Sequence, residues 1–213
     1  MERLHHPGAL EAVRIRAIAK TSNVTYIKSI DSPVGTIRLT ASDNALLSLS
    51  WGKENIRRAP VDVYEEVASH PILMRAEKQL DEYFAGKRKI FDVPLAPEGT
   101  EFQKRVWAQL LKIPYGECIS YGEQARRLGQ PKSARAVGSA NGKNPIGILI
   151  PCHRVVGTTG NLTGFAGGIE IKRYLLQLEG HQLTFAGLSG DDDKNVGVFN
   201  AHARRFVVSI KKE

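Results

Sequence analysis

The sequence predicts an α+β chain in two parts: a small antiparallel sheet covered by a helix, then a mostly helical region organised around a cysteine-bearing apolar run. Strand-like runs separated by turn residues fill residues 24–51, and from Ile72 onwards apolar residues recur mostly at helical spacing. The stretch Phe91-Asp92-Val93-Pro94-Leu95-Ala96-Pro97 holds two prolines and reads as an extended crossing between the parts. With 213 residues, 42% of them hydrophobic, the chain can build a sizeable core.

Residues 1–22 mix Arg3, Arg14, Arg16 and Lys20 with Glu2 and Glu11, and read as a disordered or loosely helical arm. Val24 to Ser29, Thr36 to Thr40 and Ala45 to Trp51 form an antiparallel meander, because Ser32-Pro33-Val34-Gly35 and Ala41-Ser42-Asp43-Asn44 are turn material. Leu73, Ala76, Leu80, Tyr83 and Phe84 share one helical face, with a stop at Ala85-Gly86, so this helix is expected to cover the sheet. The proline crossing is the expected boundary between domains of residues 23–95 and 96–180.

Thr100 can cap a helix whose buried stripe is Phe102, Val106, Trp107, Leu110 and Leu111, ended by Ile113-Pro114-Tyr115-Gly116. Ser120-Tyr121-Gly122-Glu123 has capping-box spacing, which predicts a short helix from Tyr121 to Leu128 that stops at Gly129. Pro131 and Ser133 open a second short helix through Ala140. Two short helices across a Gly-containing turn describe a helix-turn-helix, although many helix pairs in enzymes share the pattern. Ile146-Gly147-Ile148-Leu149-Ile150 then reads as a buried strand that ends in Pro151-Cys152-His153-Arg154-Val155. A Gly-rich loop follows over residues 157–168, without the Lys-Ser/Thr ending of a phosphate-binding loop. A last helix from Ile169 to Leu178 turns Ile171, Tyr174, Leu175 and Leu178 inward and ends at Glu179-Gly180. The tail, residues 181–213, contains Asp191-Asp192-Asp193 and Phe206-Val207-Val208-Ser209-Ile210 and ties to no chemistry.

Thirty Lys and Arg against 22 Asp and Glu give a net charge of +8, which suits a polyanionic partner but equally describes a solvated basic face. The distribution is more telling. Between Cys118 and Arg154 lie Arg126, Arg127, Lys132, Arg135, Lys143 and Arg154, with Glu123 the one acidic residue. The second short helix consists largely of Ala134, Ala136, Gly138, Ser139 and Ala140, which have little with which to read base edges but permit close backbone approach to a duplex. Arg135, the long side chain among them, can reach into the base stack. No apolar stretch approaches the roughly 20 residues of a membrane helix. Cys118 and Cys152 are too few for a disulfide framework or a cysteine-rich zinc site, so a reducing, cytoplasmic setting is expected.

A thiol is a nucleophile only as its thiolate, so Cys152, beside His153 and within the basic segment, is the chief candidate for chemistry. The competing reading is a packed core thiol, since free cysteine is among the most buried residue types. Successive side chains of a strand point to opposite sides, so a direct bond between Cys152 and His153 is not expected. Cys118 reads as packed and unreactive, and His5, His6, His70, His181 and His202 lack metal-ligand spacing.

Taken together, Phe102-Gln103-x-x-Val106-Trp107, Ile113-Pro114-x-Gly116, Ser120-Tyr121-Gly122, Ala134-Arg135-Ala136-Val137-Gly138, Asn144-Pro145, Ile150-Pro151-Cys152-His153-Arg154-Val155-Val156, Gly167-Gly168 and Leu175-Leu176-x-x-Glu179-Gly180 closely resemble the O6-alkylguanine-DNA alkyltransferase family. The match is ordered over about residues 96–180, and the Ser32-Pro33-Val34-Gly35 meander extends it more weakly. The resemblance implies a small ribonuclease-H-like N-terminal domain and a winged-helix-like C-terminal domain that binds double-stranded DNA through the minor groove. It also implies irreversible, single-use transfer of an alkyl group, chiefly methyl, from O6-alkylguanine, and from O4-alkylthymine, to the protein's own cysteine after base flipping.

Residue by residue, the resemblance makes Cys152 the nucleophile, His153 its proton acceptor through a water, and Glu179 the group that orients the imidazole. Tyr121 matches the tyrosine that donates to the guanine ring, Asn144 the asparagine that braces the active-site turn, and Val155 the carbonyl that accepts from the exocyclic amine. Arg135 matches the residue that fills the space of the flipped base, projecting from the surface of Ala134, Ala136 and Gly138. Gly164 to Gly168 resembles the lid over the base, with Phe165 where many relatives carry Tyr and Ala166 where some carry Ser; Ala166 and Gly167 complete the pocket. The smaller Ala166 suggests room for larger alkyl groups. No cofactor is implied, and the zinc site of some members is not expected, because residues 1–117 contain no cysteine. A monomer is expected. The rival readings are a damage sensor that binds the lesion without transfer, which Cys152 argues against, a winged-helix regulator, and a thiol protease or redox enzyme.

Overall fold

The computed structural model describes residues 24–51 and 63–181, so the expected arm and the tail beyond His181 lie outside the described residues. Strands β1 (Val24–Ile30), β2 (Ile37–Ala41) and β3 (Leu46–Trp51) form the antiparallel meander that their turn residues predict. A fourth strand, β4 (Val63–Glu66), lies parallel to β1 and gives the order β3-β2-β1-β4. Helix α1 (Pro71–Phe84) begins with a proline in its first turn, where a missing N–H costs nothing, and buries Leu73, Ala76, Leu80 and Tyr83 against the sheet.

The free edge of β3 joins the two parts. Leu46 donates to Pro94 O at 2.8 Å and accepts from Ala96 N at 2.9 Å, so the extended crossing lies along this edge with Phe91, Val93 and Leu95 buried. Three residues on, Leu49 N donates to Pro145 O at 2.8 Å, which brings the segment before Cys152 onto the same edge. An edge strand left bare is a hazard; here its backbone groups hold the reactive turn.

In the C-terminal part, α2 (Glu101–Leu110) starts with a complete capping box: Thr100 Oγ1 accepts from Gln103 N at 3.3 Å and Gln103 Oε1 accepts from Thr100 N at 2.9 Å. A short strand β5 (Ile119–Ser120) leads into α3 (Tyr121–Arg127), a turn at Gly129 with φ 73°, and α4 (Ala134–Gly142). At the start of α3 the capping box is half formed: Ser120 Oγ accepts from Glu123 N at 3.1 Å, whereas the Glu123 carboxylate pairs with Arg126 and Arg127. Reciprocal amide bonds between Gln124 and Asn141, at 2.7 and 3.3 Å, tie α3 to α4, and Trp107 Nε1 donates to Ala140 O at 2.9 Å to tie α2 to α4.

The expected strand Ile146–Ile150 is not one. Ile146 alone bridges to Leu49; the rest is a succession of turns in which Ile148 takes φ 68°, the one positive φ of a non-glycine among the described residues. Ile146, Ile148, Leu149 and Ile150 are all buried, so an apolar run of this length reports burial and not extension. Cys152–Arg154 then form a 3-10 turn, Val155–Val156 form β6 parallel to β5, and α5 (Ile169–Leu178) is the last element among the described residues. The inward face of α5 also differs from expectation: it buries Lys172, Leu175 and Leu176, while Ile171, Tyr174 and Leu178 are half-buried. Among the described residues no helix is long and apolar enough to cross a membrane.

Candidate active site

Asn144 builds the turn that presents the thiol. Its carboxamide Oδ1 accepts from Ile146 N at 3.1 Å while its Nδ2 donates to Ile150 O at 2.7 Å, so one buried side chain supplies the bonds that a neighbouring strand would have supplied. The same Nδ2 lies 3.2 Å from Cys152 Sγ. Burial pushes the Cys152 thiol above its ordinary value, against the Asn144 contact and the charge of Lys172. The resting group is therefore a thiol, and a thiolate needs a base.

His153 is fully buried next to it, and because both residues sit on a 3-10 turn and not on a strand, their side chains diverge by the turn's own geometry. Its Nε2 lies 2.9 Å from Glu179 Oε1; its Nδ1 is buried and has no partner among the described residues. Burial lowers the His153 pKa, and the Glu179 carboxylate opposes that shift. A neutral ring with one nitrogen fixed and the other uncommitted can take a proton.

Glu179, at the C-terminal end of α5, is the hub of the site. Arg154 donates to it twice, from Nε to Oε2 at 2.8 Å and from Nη2 to Oε1 at 2.9 Å. Tyr83 of α1 donates its hydroxyl to Oε1 at 2.8 Å and Gly116 N donates to Oε2 at 3.2 Å. Burial alone would raise its pKa, but the bonds from His153 and Arg154 outweigh it and hold the carboxyl well below the usual carboxylate range. Arg154 in turn donates Nη1 to Ile113 O at 2.6 Å.

Lys172 is a second buried cation, and among the described residues no carboxylate forms an ion pair with it. Its Nζ donates to Val155 O at 2.6 Å and to Thr163 O at 2.8 Å, and burial depresses its pKa to about 8. It thereby fastens the Gly-rich loop to β6. Tyr121, at the start of α3, packs its ring toward Gly138 of α4 and sets its hydroxyl 3.4 Å from Thr163 O; burial raises its pKa. Phe165 lies edge-on to His153, with ring centroids 6.4 Å apart.

A cleft of about 540 Å³ runs between α4 and this loop, bordered by Tyr121, Ala134, Arg135, Gly138, Phe165 and Ala166. Arg135 and Ala136 are exposed, and Ala134 and Gly138 half-buried. Cys152 itself borders a much smaller chamber of about 20 Å³, which also meets Phe165 and Ala166. Gly167 lies beyond them against the ring of Trp51. Of the residues around these cavities, sequence reasoning named Tyr121, Ala134, Arg135, Gly138, Asn144, Cys152, Phe165 and Ala166, and it missed the β3 wall of Ser48, Leu49, Ser50 and Trp51 together with the buried partners Tyr83, Arg154 and Lys172. Arg154 was visible as part of the motif but carried no role; Lys172 was visible only as a charge on the same helical face as Leu175, Leu176 and Glu179.

The remaining thiol, Cys118, is half-buried with Sγ 3.3 Å from His181 Nε2, and burial pushes it up to about 11. His70 is buried and stacks on Tyr26 at 4.3 Å between centroids. His5, His6 and His202 lie outside the described residues.

The DNA binding domain of 6-O-methylguanine DNA methyltransferases matches residues 101–181, and the ribonuclease-like domain of the same family matches residues 25–97. A methylated-DNA–protein-cysteine methyltransferase of Methanosarcina acetivorans is 48% identical over 155 residues, covering 73% of this chain and 98% of its own. The crystal structure of Mycobacterium tuberculosis OGT in complex with DNA is similar with a TM-score of 0.66 at 47% identity, covering 73% of this chain and 92% of that one. An O6-methylguanine DNA methyltransferase from Methanococcus jannaschii superposes with a TM-score of 0.53 at 29% identity, covering 76% and 99%.

Proposed function

Because this chain belongs to the 6-O-methylguanine DNA methyltransferase family, which repairs alkylated DNA directly, we propose that Cys152 is the acceptor and that one molecule repairs one lesion. The observation that carries the assignment is the linked set of Cys152, held by Asn144, His153 with an uncommitted Nδ1, and Glu179, bonded to the other ring nitrogen.

The damaged base enters by the cleft between α4 and the loop, after rotating out of the duplex at a cost of a few kcal/mol. Arg135 fills the vacated space in the stack, and the small residues Ala134, Ala136 and Gly138 let α4 lie close in the minor groove. The protein acts as a monomer. His153 takes the thiol proton at Nδ1 through one water, and Glu179 stabilises the imidazolium. Sulfur then attacks the alkyl carbon: the S–C bond forms, the C–O6 bond breaks, and its electron pair stays with the guanine. The Tyr121 hydroxyl donates toward the ring as that charge develops. Guanine leaves with one proton in exchange for the alkyl group, and the thioether is inert. Val155 O, although bonded to Lys172, keeps a second lone pair for the exocyclic amine. O4-alkylthymine is a second substrate.

The test is incubation with duplex DNA containing O6-methylguanine, followed by peptide mass spectrometry. A single methyl on Cys152, absent from Cys152→Ala, is expected. Methylation elsewhere, or none from the folded protein, would overturn the assignment.

A further inference from the structure

The chamber beside Cys152 is not made by the C-terminal part alone. Ser48, Leu49, Ser50 and Trp51, all from β3, form one of its walls, and Asn144, Gly147, Phe165 and Ala166 form the others. Its volume of about 20 Å³ admits one sphere the size of a water or a methyl group. Behind that limit stands the Trp51 ring. It lies 5.4 Å from the Phe165 ring, between centroids. A Cβ built on Gly147 would come within 2.7 Å of Trp51 Cη2, and one built on Gly167 within 3.0 Å of Trp51 Cε3. The indole is therefore seated against two glycine backbones, one in the turn before the nucleophile and one in the loop over the base.

The backbone that carries the ring is tied to the reactive turn: Trp51 pairs with Ile37 in the sheet, and two residues earlier Leu49 N donates to Pro145 O at 2.8 Å. Ala166 and Trp51 line the same chamber, so a small residue on the loop side still leaves the indole as a wall.

We propose that Trp51, contributed by the N-terminal sheet, sets the upper size of the alkyl group that Cys152 accepts. The inference rests on Cys152 being the acceptor. It assigns to the N-terminal domain a direct part in selecting the lesion: groups of methyl size fit, and larger groups meet the indole before the reacting carbon reaches sulfur.

The experiment compares wild type with Trp51→Ala, Trp51→Leu and Trp51→Phe on duplexes carrying O6-methylguanine or O6-benzylguanine, reading the rate at which each group appears on Cys152. The quantity of interest is the ratio of benzyl to methyl rates, which cancels any general loss of folding or DNA binding. That ratio should rise about tenfold or more in Trp51→Ala and Trp51→Leu, as expected when a steric wall of several carbons is removed, and by less in Trp51→Phe. An unchanged ratio in these variants, with wild type methylated normally, overturns the role of Trp51 and leaves the acceptor assignment intact. No methyl on Cys152 of the wild type overturns both.

Discussion

Arg154 grips Glu179 with two nitrogens at 2.8 and 2.9 Å, and both residues are buried. The carboxylate that faces His153 is thus already committed on its other sides, which fixes its position and keeps it ionised. Such a pair gives little net stability over an apolar replacement, but breaking it from one side leaves a buried charge unanswered.

Glu179→Gln should therefore destabilise the protein by about 3–5 kcal/mol, by stranding the Arg154 guanidinium, and should slow alkyl transfer as well. Thermal unfolding and single-turnover kinetics read the two effects. Because the folded pKa of Glu179 is depressed, its contribution to stability is present above the ordinary value of 4.5 and is lost as pH falls toward the folded value. The wild-type stability curve should decline on that acid side, and Glu179→Gln should decline less steeply there.

The transfer rate should be level from about pH 6.5 to about 8. Burial lowers His153 below 6.5, so the base is neutral throughout, and raises Cys152 above 9.0, so the thiol keeps its proton until His153 takes it. Lys172, with its pKa at about 8, is half deprotonated near that pH and loses its charge across it without taking part in the proton transfer. In His153→Ala the rate should instead track thiolate, climbing about tenfold per pH unit. A wild-type profile with that same slope would mean that His153 takes no proton.

Replacing Lys172 by Met keeps length and removes both donors, leaving Val155 O and Thr163 O without their shared partner. The expected cost is about 2 kcal/mol, since relief of a buried charge offsets part of two lost bonds. Amide exchange over residues 157–167 should accelerate more than exchange in α1. Uniform acceleration across the chain would show that Lys172 stabilises the whole domain and does not latch the loop.

Arg135 is exposed on α4, and its loss should leave stability within about 0.5 kcal/mol of wild type. Arg135→Ala should nevertheless slow repair of O6-methylguanine in duplex DNA about tenfold or more, because the vacated stack goes unfilled. Transfer from the free base O6-methylguanine, which needs no flipping, should change little. Equal losses on both substrates would place Arg135 outside base flipping.

Much of this was written locally. The meander follows from two turns, α2 from Thr100 and its partner three residues on, and the helix pair from Ser120, Gly129 and the basic, small-residue α4, because caps and turns are decided by residues close in the chain. The thiol, its histidine and the family pattern were legible for the same reason. The strand expected at Ile146–Ile150 failed where locality fails: apolar content forecasts burial, but the backbone path was settled by the Asn144 side chain and the edge of β3.

What the sequence determined by itself was the antiparallel meander, the order of the helices, the cysteine and the chemistry its neighbours allow. What only tertiary structure decided was the state of those groups. Tyr83 reaches Glu179 across 96 residues, Arg154 neutralises it, Lys172 is stripped of water, and Trp51 arrives from the other domain to bound the chamber. Proton affinity and cavity size depend on desolvation and on atoms brought near by folding, and neither quantity is carried by residue identity or by spacing along the chain.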